Sequence, residues 1–423
     1  MTPARRVVTL PPTVLGTDAV HFARACQRRG ADVLELRTDL HTADAVDIEA
    51  LAQVLPLLVS ERGKPLPPAW VSAAWRVDRD LKDTRGREGS LDAPSGKLLA
   101  SHHAERQLST AEALALWERE LPPDALVKHV EPMLGPEHLR TLLETQRLLV
   151  QRFGVSRVTV LGMGPVALPA RAVLARNNVL DYVAAGGSWA AAPGQRLLDD
   201  VVREMRGVDR LTLEPPLRLG ILGTSIVHSR SPRIHRQPFD RIDIPEDGPV
   251  ETLVDSLLPH YAGFAVTSPF KLRLAQHTRS SLPAINTLVR RGDHWESFNT
   301  DTFGARTVME RLEAKEAFVL GDGGATAAMK AVADEAGCAL RVLRRADIDA
   351  PLTGAGVWTW PDRVSPPEQL RFNKARVAVI AYGAPGRRIA TEIQRRGGTP
   401  VLLGAAWFVA QARRQRQLWE SAT

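Results

Sequence analysis

Gly321, Gly323 and Gly324 sit in the stretch FVLGDGGATAAM, where an apolar run passes through glycines into a helical segment opened by Ala325. The chemistry open to such a turn is anion binding. Glycine lets backbone approach a pyrophosphate, and the unpaired N–H groups of a helix start face it. The spacing is G-x-G-G, not the full G-x-G-x-x-G, so a tight turn with no ligand carries the same signature. Roughly twenty residues further on, where a ribose is read, stand Arg344 and Arg345. An acidic residue there favours NAD, and the two arginines favour the 2′-phosphate of NADP. A solvated basic pair is the alternative. Asp322 lies inside the turn and would repel a phosphate. Lys271 is a second candidate, following Thr-Ser-Pro-Phe in GFAVTSPFKLRLAQH. It is either solvated at a strand end or set at a pocket rim, where an ammonium stabilises charge on a reduced carbonyl oxygen or donates a proton.

These residues need elements to hold them. RVVTL reads as a strand, TDAVHFARACQRRG as a helix with a glycine cap, and ADVLELRTD as the next strand. GKLLASHH, DALVKHVEP, SRVTVLGMG and VLDYVAAG continue the strands, separated by helical stretches. Such alternation implies a parallel sheet, open or closed into a barrel. His103 and Lys128 fall on two of these strands, one βα unit apart, so on a barrel both can face one mouth. The alternative is a strand-end lysine with His102, His103 and His129 as surface histidines. MRGVDRLTLEPPLRL breaks the rhythm with a Pro-Pro pair and places a linker at 207–217. The second half restarts with the strand RLGILG and runs through the glycine turn already described.

Composition narrows the classes. A chain of 423 residues predicts two or three domains. Two cysteines far apart make neither a disulfide framework nor a metal cluster, and they suit a reducing cytoplasm. The start lacks a signal-peptide core, and no apolar run reaches membrane-span length. The net charge of +7 favours small anionic substrates. With 5% aromatics, scattered basic residues and no recognition module, nucleic acid is not an expected partner.

Four further pieces, HSRSPRIH, AVTSPFK, AINTL and FNTDTFG, join the glycine turn and the closing segment GAAWFVAQARRQRQLW. In order and spacing they resemble shikimate dehydrogenase, over residues 218–423. The resemblance implies that Ser229 and Ser231 bind the substrate carboxylate and that Thr267, Asn286 and Gln411 bind ring hydroxyls. It implies Lys271 and Asp301 as the catalytic pair, NADP as cofactor and Tyr382 near the nicotinamide. Departures are Ala265 where the family has Asn, and a shortened RQPFDRIDIPEDGPVETL.

VLELRTD, LLASHH, ALVKHVEP and APGQ resemble strands and the last loop of type I 3-dehydroquinate dehydratase, a (β/α)8 barrel. The resemblance implies Lys128 as the Schiff-base lysine and His103 as the base. It sets Arg171 on the substrate carboxylate and Gln195 in the last loop, with Glu35 and Arg37 on the barrel floor. An amine there forms an imine with the C3 ketone, and an imidazole takes the acidified proton. Between Arg37 and His103 the chain is about one βα unit short. The family's arginine and glutamate there have no secure match: either Arg76 is that arginine, or WVSAAWRVDRDL is a different strand. Ala170 and Ala191 stand where the family has serine.

The expected architecture is α/β: a (β/α)8-like barrel, complete or short of one unit, over 1–206. A two-lobed dehydrogenase follows, with a substrate domain at 218–312 plus 405–423 and a Rossmann NADP-binding domain at 313–404. The expected activity is bifunctional, dehydrating 3-dehydroquinate and reducing the product to shikimate with NADPH, in the cytoplasm and with no metal. Its rivals are a dehydrogenase on an inert barrel and a non-enzymatic metabolite sensor.

Overall fold

The computed structural model describes residues 4–84, 93–94, 96–164, 167–186, 189–208, 218–226, 229–235, 239–335, 337–360 and 364–421. Of the linker expected at 207–217, residues 209–217 lie outside this set, and Gly207 and Val208 close a helix. His228 of the HSRSPRIH stretch also lies outside it. The chain divides into two compact units. One is residues 1–220, 225–232 and 236–261; the other is 221–224, 233–235 and 262–423.

The first half contains parallel strands β1 (Arg5–Thr9), β2 (Val33–Arg37), β3 (Leu57–Ser60), β4 (Arg76–Asp80), β5 (Leu98–His103), β6 (Leu126–Pro132), β7 (Val158–Met163), β8 (Leu180–Ala184) and the short β9 (Arg196–Leu197). Between them run α1 (Gly16–Arg29), α2 (Ile48–Ala52), α3 (Pro68–Ala73), α4 (Leu81–Thr84), α5 (Thr110–Glu120), α6 (His138–Phe153) and α7 (Ala167–Leu174), with α8 (Leu198–Val208) after β9. The strands pair in chain order from β1 to β7, and β8 pairs with the other edge of β1. The sheet curls until the chain entering β8 meets β7: Val179 N donates to Val158 O at 2.9 Å, and Leu180 N to Thr159 Oγ1 at 3.1 Å. These two bonds bring the ends of the curled sheet together, although no ladder pairs β7 with β8. Of the two alternatives, a barrel complete or short of one unit, the strand count favours the first. Both strands between Arg37 and His103 are present, and the shortening is taken from helices α2, α3 and α4, of 5, 6 and 4 residues.

Strand alternation sorts the side chains. Val7, Val33, Leu58, Leu99, Leu126, Leu161 and Leu180 fill the interior of the curled sheet. Val8, Leu34, Leu36, Leu57, Val59 and Val77, on the alternate positions, pack outward against helices. Inward positions near the strands' C-terminal ends carry polar groups instead, which is where a βα barrel builds its site. Local signals fix the helices: Gly30 ends α1 at φ 102°, a left-handed turn that glycine adopts freely. Ser109 and Glu112 form a reciprocal capping box at the start of α5.

The second half has two five-stranded sheets. The first comprises β10 (Arg218–Gly223), β11 (Phe239–Asp243), β12 (Tyr261–Val266), β13 (Thr287–Arg291) and β14 (His294–Phe298), in the order β11-β10-β12-β13-β14. Helices α9 (Ser231–His235), α10 (Val250–Leu257), α11 (Lys271–His277) and α12 (Asp301–Leu312) follow its strands. The second comprises β15 (Glu316–Leu320), β16 (Ala339–Leu343), β17 (Ala355–Trp358), β18 (Arg376–Val379) and β19 (Thr399–Leu402). It is all parallel, in the order β16-β15-β17-β18-β19, with α13 (Gly324–Glu335) and α14 (Gly383–Arg395) as crossovers and α15 (Gly404–Glu420) closing the chain. Among the described residues no helix is long and apolar enough to cross a membrane.

Candidate active sites

A cavity of about 400 Å³ opens at the C-terminal ends of the barrel strands, and every strand from β1 to β8 reaches it or its rim. Its lining includes Glu35, Arg37, His103, Lys128, Arg171 and Gln195, all six of the residues assigned to this half from sequence. Strand period explains the selection. On β6, Lys128 and Val130 face in while His129 and Glu131 face out. His102 and His129, which the alternative reading set at the surface, are buried. His129 takes a hydrogen bond from Trp117 at 3.2 Å, bonds Glu131 at 2.7 Å, and stacks with His102.

Lys128 is 4% exposed, with Nζ 2.9 Å from Asp78 Oδ2 and 4.4 Å from the ring centre of Tyr182. Arg62 Nη2 donates to the same Asp78 oxygen at 2.7 Å. Burial opposes charge on Asp78, but Arg62, Lys128 and His103 outweigh it and hold the carboxyl well below its usual range. His103 Nδ1 contacts Asp80 Oδ2, and the Lys82 amide donates to Asp80 Oδ1 at 3.0 Å. Burial lowers the His103 pKa; Lys128 and Arg62 add to that, and Asp80 opposes it. Glu35 accepts from Thr9 at 2.5 Å and from Ser60 at 2.8 Å. Arg37 pairs with Asp39 at 2.7 Å. Arg171 is fully enclosed; Nε donates to Gly162 O at 2.9 Å, while Nη1 has no partner among the described residues. Burial pushes its pKa down to about 10. Gln195 Oε1 accepts from Ala191 N at 3.0 Å, tying the last loop to itself.

Arg76 is not part of this site. It lies at the N-terminal end of β4, over the ring of Trp75, with its guanidinium on Gly96 O. Arg62, just past β3, lines the cavity beside Arg37 and Arg171. Arg62, Asp78, Asp80, Thr9 and Tyr182 escaped the sequence reading, because a lone residue on a short strand has no spacing signature. The i, i+2 pair Asp78 and Asp80, two carboxylates on one strand face, was the available clue.

In the second half, Lys271 Nζ lies 2.6 Å from Asp301 Oδ2. Lys271 opens α11 and Asp301 opens α12, so two helix starts bring them together. Asn286 Nδ2 donates to Asp301 Oδ1 at 2.9 Å and to Gln411 Oε1 at 3.4 Å, and its Oδ1 accepts from Thr300 N at 2.7 Å. Gln415 Nε2 donates to Asn286 O at 3.2 Å. Thr300 and Gln415 are supports that sequence reasoning missed. Thr267 is fixed by its amide on Leu222 O at 2.9 Å. Ser229 and Ser231 belong to the other unit and hydrogen-bond each other at 3.2 Å. This lysine–carboxylate–amide cluster can stabilise an oxyanion and pass a proton.

The glycine turn fits a pyrophosphate. A Cβ on Gly323 or Gly324 would meet nothing within 4 Å, leaving open space before the start of α13. Gly321, at φ 121°, could carry no side chain, since a Cβ would fall 2.6 Å from Thr359 Oγ1. Asp322, which the sequence sets against a phosphate, is neutralised: Arg344 Nη2 lies 2.9 Å from it and Lys330 Nζ 3.6 Å. The Arg344 hydrogen bond and then Lys330 lower its pKa. Arg345 donates to Ser365 O at 2.8 Å. Ala325 lies in the first turn of α13, and the ring of Tyr382 packs 5.0 Å from that of Phe408.

No family model matches the chain. Among curated proteins it is 34% identical over 125 residues to the NADP(+) shikimate dehydrogenase of Syntrophobacter fumaroxidans, covering 26% of this chain and 44% of that one. It is 31% identical over 174 residues to the Bordetella avium enzyme of the same name, covering 35% and 61%. It is 27% identical over 217 residues to the chloroplastic bifunctional 3-dehydroquinate dehydratase/shikimate dehydrogenase of Arabidopsis thaliana, covering 43% and 36%. Among solved structures, the dehydroquinate dehydratase and shikimate dehydrogenase of S. pombe AroM aligns with all of this chain and 96% of its own, at 17% identity and TM-score 0.38. Mycobacterium tuberculosis shikimate dehydrogenase aligns with 49% of this chain at 22% identity and TM-score 0.36. The chain is thus similar in sequence to shikimate dehydrogenases and to a dehydratase–dehydrogenase fusion, and it spans less than two thirds of the length of each of these curated relatives.

Proposed function

We propose that the chain catalyses two consecutive steps: dehydration of 3-dehydroquinate to 3-dehydroshikimate in the barrel, and reduction of that product to shikimate in the second half. The observation that carries the reading is the single barrel cavity holding a buried lysine, a carboxylate-held histidine and a buried arginine with a free N–H edge. In the barrel, Arg171 binds the substrate carboxylate. Lys128, once it has given up a proton, attacks the C3 ketone and forms an imine with loss of water. Asp80 holds Nδ1 of His103, so Nε2 takes the C2 proton that the imine acidifies. The electrons left behind expel the C1 hydroxyl, to which His103 returns the proton, and hydrolysis frees product and Lys128.

In the second half, bound NADPH supplies the hydride. Its pyrophosphate fits at Gly321, Gly323, Gly324 and Ala325, its 2′-phosphate beside Arg344 and Arg345, and its nicotinamide end near Tyr382. Lys271, held by Asp301, stabilises the oxyanion and protonates it. Thr267, Asn286 and Gln411 take the ring hydroxyls, and Ser229 with Ser231 takes the carboxylate. A cytoplasmic location accords with two free, buried cysteines.

Separate assays on the purified chain test the reading. Dehydroquinate plus borohydride should leave a stable secondary amine on the Lys128 peptide, read by mass spectrometry. Shikimate with NADP should give NADPH, and Lys271→Ala should cut that rate by ~10²–10⁴-fold. An unmodified Lys128 beside an active dehydrogenase would make the barrel a scaffold; absence of both activities would leave the sensor reading.

A further inference from the structure

We propose that Asp200, on the last barrel helix, positions the Ser229–Ser231 turn through Arg241, so that a barrel helix holds the turn in its carboxylate-binding form. The inference rests on the reading of Ser229 and Ser231 as carboxylate ligands.

Arg241 lies on β11, and its guanidinium is used on two sides. Nη2 donates to the carbonyl of Ser229 at 2.9 Å, with Nε 3.3 Å from the same oxygen. Nη1 contacts Asp200 Oδ2 on α8. The other oxygen of Asp200 accepts from Arg203 at 2.9 Å, which fixes the carboxylate plane. The Arg241 and Asp200 side chains are 13% and 12% exposed, so water screens the pair poorly. The serine turn is linked as tightly: Ser229 Oγ donates to Ser231 Oγ at 3.2 Å, and Ser231 N donates to Ser229 Oγ at 3.3 Å. Moving the Ser229 carbonyl therefore moves both hydroxyls. All five residues belong to one compact unit.

The counter-charge decides what Arg241 does. A largely buried arginine next to a carboxylate-binding turn would otherwise swing to the incoming anion. Asp200 holds it back on the Ser229 carbonyl, leaving the two hydroxyls as ligands. The planar fork of arginine suits this two-sided role and the point charge of lysine does not. Asp200 and Arg241 are positioning residues and touch no reacting atom.

The test uses the full chain and steady-state shikimate oxidation. Asp200→Asn keeps the side chain's shape and removes its charge. It should raise KM for shikimate about tenfold, the scale of one lost charge-assisted hydrogen bond, with kcat and KM for NADP within about twofold. Arg241→Lys should raise KM for shikimate on its own, and the double variant should be no worse than the poorer single one, as for residues acting in series. Glu118→Gln, which breaks the outer ion pair with Arg152, serves as the control and should change nothing. An unchanged shikimate KM in either single variant, additive effects in the double variant, or a loss shared equally by kcat overturns the proposal. If the wild-type chain neither binds nor oxidises shikimate, it is the reading of the site that fails, and this is seen before any variant is made.

Discussion

His103 has one nitrogen on Asp80 and the other left for chemistry, and this division gives it a direction as well as a pKa. Asp80 is itself held at its other oxygen by the Lys82 amide. Hydrogen bonding at Nδ1 fixes the tautomer, so Nε2 is the basic atom. Burial lowers the His103 pKa and Asp80 raises it. A base works in its neutral form, so the acid limb of kcat/KM for dehydration should fall below the ordinary histidine range. Asp80→Asn removes the raising contribution. The limb should then move to still lower pH, while the plateau drops by roughly 10²-fold because the tautomer is no longer held. A pH–rate profile of both proteins checks this, and a limb that stays in place or moves upward refutes the role of Asp80. His103 and Lys128 were legible in the sequence because a resemblance covers their strands. Asp80 was not, since the RVDRD stretch alternates charges and offers no apolar face to mark its inward positions.

At the scale of elements, what could be read followed the length of each element. Strands β5 to β8 are separated by longer helical stretches, and the sequence reading found all four. Strand β3 was missed and β4 read only as an alternative, because α2 and α3 have 5 and 6 residues, too few turns to show a helical period. The strands themselves are 4 and 5 residues long. Arg62, just past β3, and Asp80, on β4, both line the cavity, so geometry shows what periodicity could not. The glycine turn was legible, but the partner of Asp322 was not, because it stands across the turn at the end of β16. That pairing yields a prediction. Arg344→Ala removes a cation and also unmasks Asp322, whereas Arg345→Ala removes a cation alone. NADP binding should weaken more in Arg344→Ala, by about 10-fold or more, and NAD binding should weaken less, by the share that unmasked Asp322 costs the pyrophosphate common to both. Adding Asp322→Asn to Arg344→Ala should recover part of the loss. Fluorescence titration with both cofactors measures it, and equal losses for NAD and NADP would remove these residues from the 2′-phosphate site.

At the scale of the whole molecule, the polar centre of the barrel is an electrostatic lattice that includes a buried lysine. Asp78 is fully buried and takes both Arg62 and Lys128 on one oxygen. Removing one partner from such a cluster leaves buried charge uncompensated, at a cost of about 3–5 kcal/mol. The sign of its pH dependence follows from the depressed carboxyl. Below the unfolded carboxylate value, near pH 4, the unfolded chain binds a proton that the folded one does not. The contribution of Asp78 is therefore present in full above that value and is lost as pH falls through the folded value. Asp78→Asn should lower the melting temperature of the first unit by about 6–20 °C at neutral pH, taking ~2–4 °C per kcal/mol for a unit of this size. The gap between variant and wild type should narrow as the pH is taken below about 4. Calorimetry across that range decides it. A gap that does not change with pH would mean that Asp78 acts through packing rather than charge. A variant as stable as wild type would mean that Arg62 and Lys128 find other counter-charges, of which Glu35 is the nearest candidate: it lines the same cavity and accepts from Ser60, which also lies 3.4 Å from Asp78.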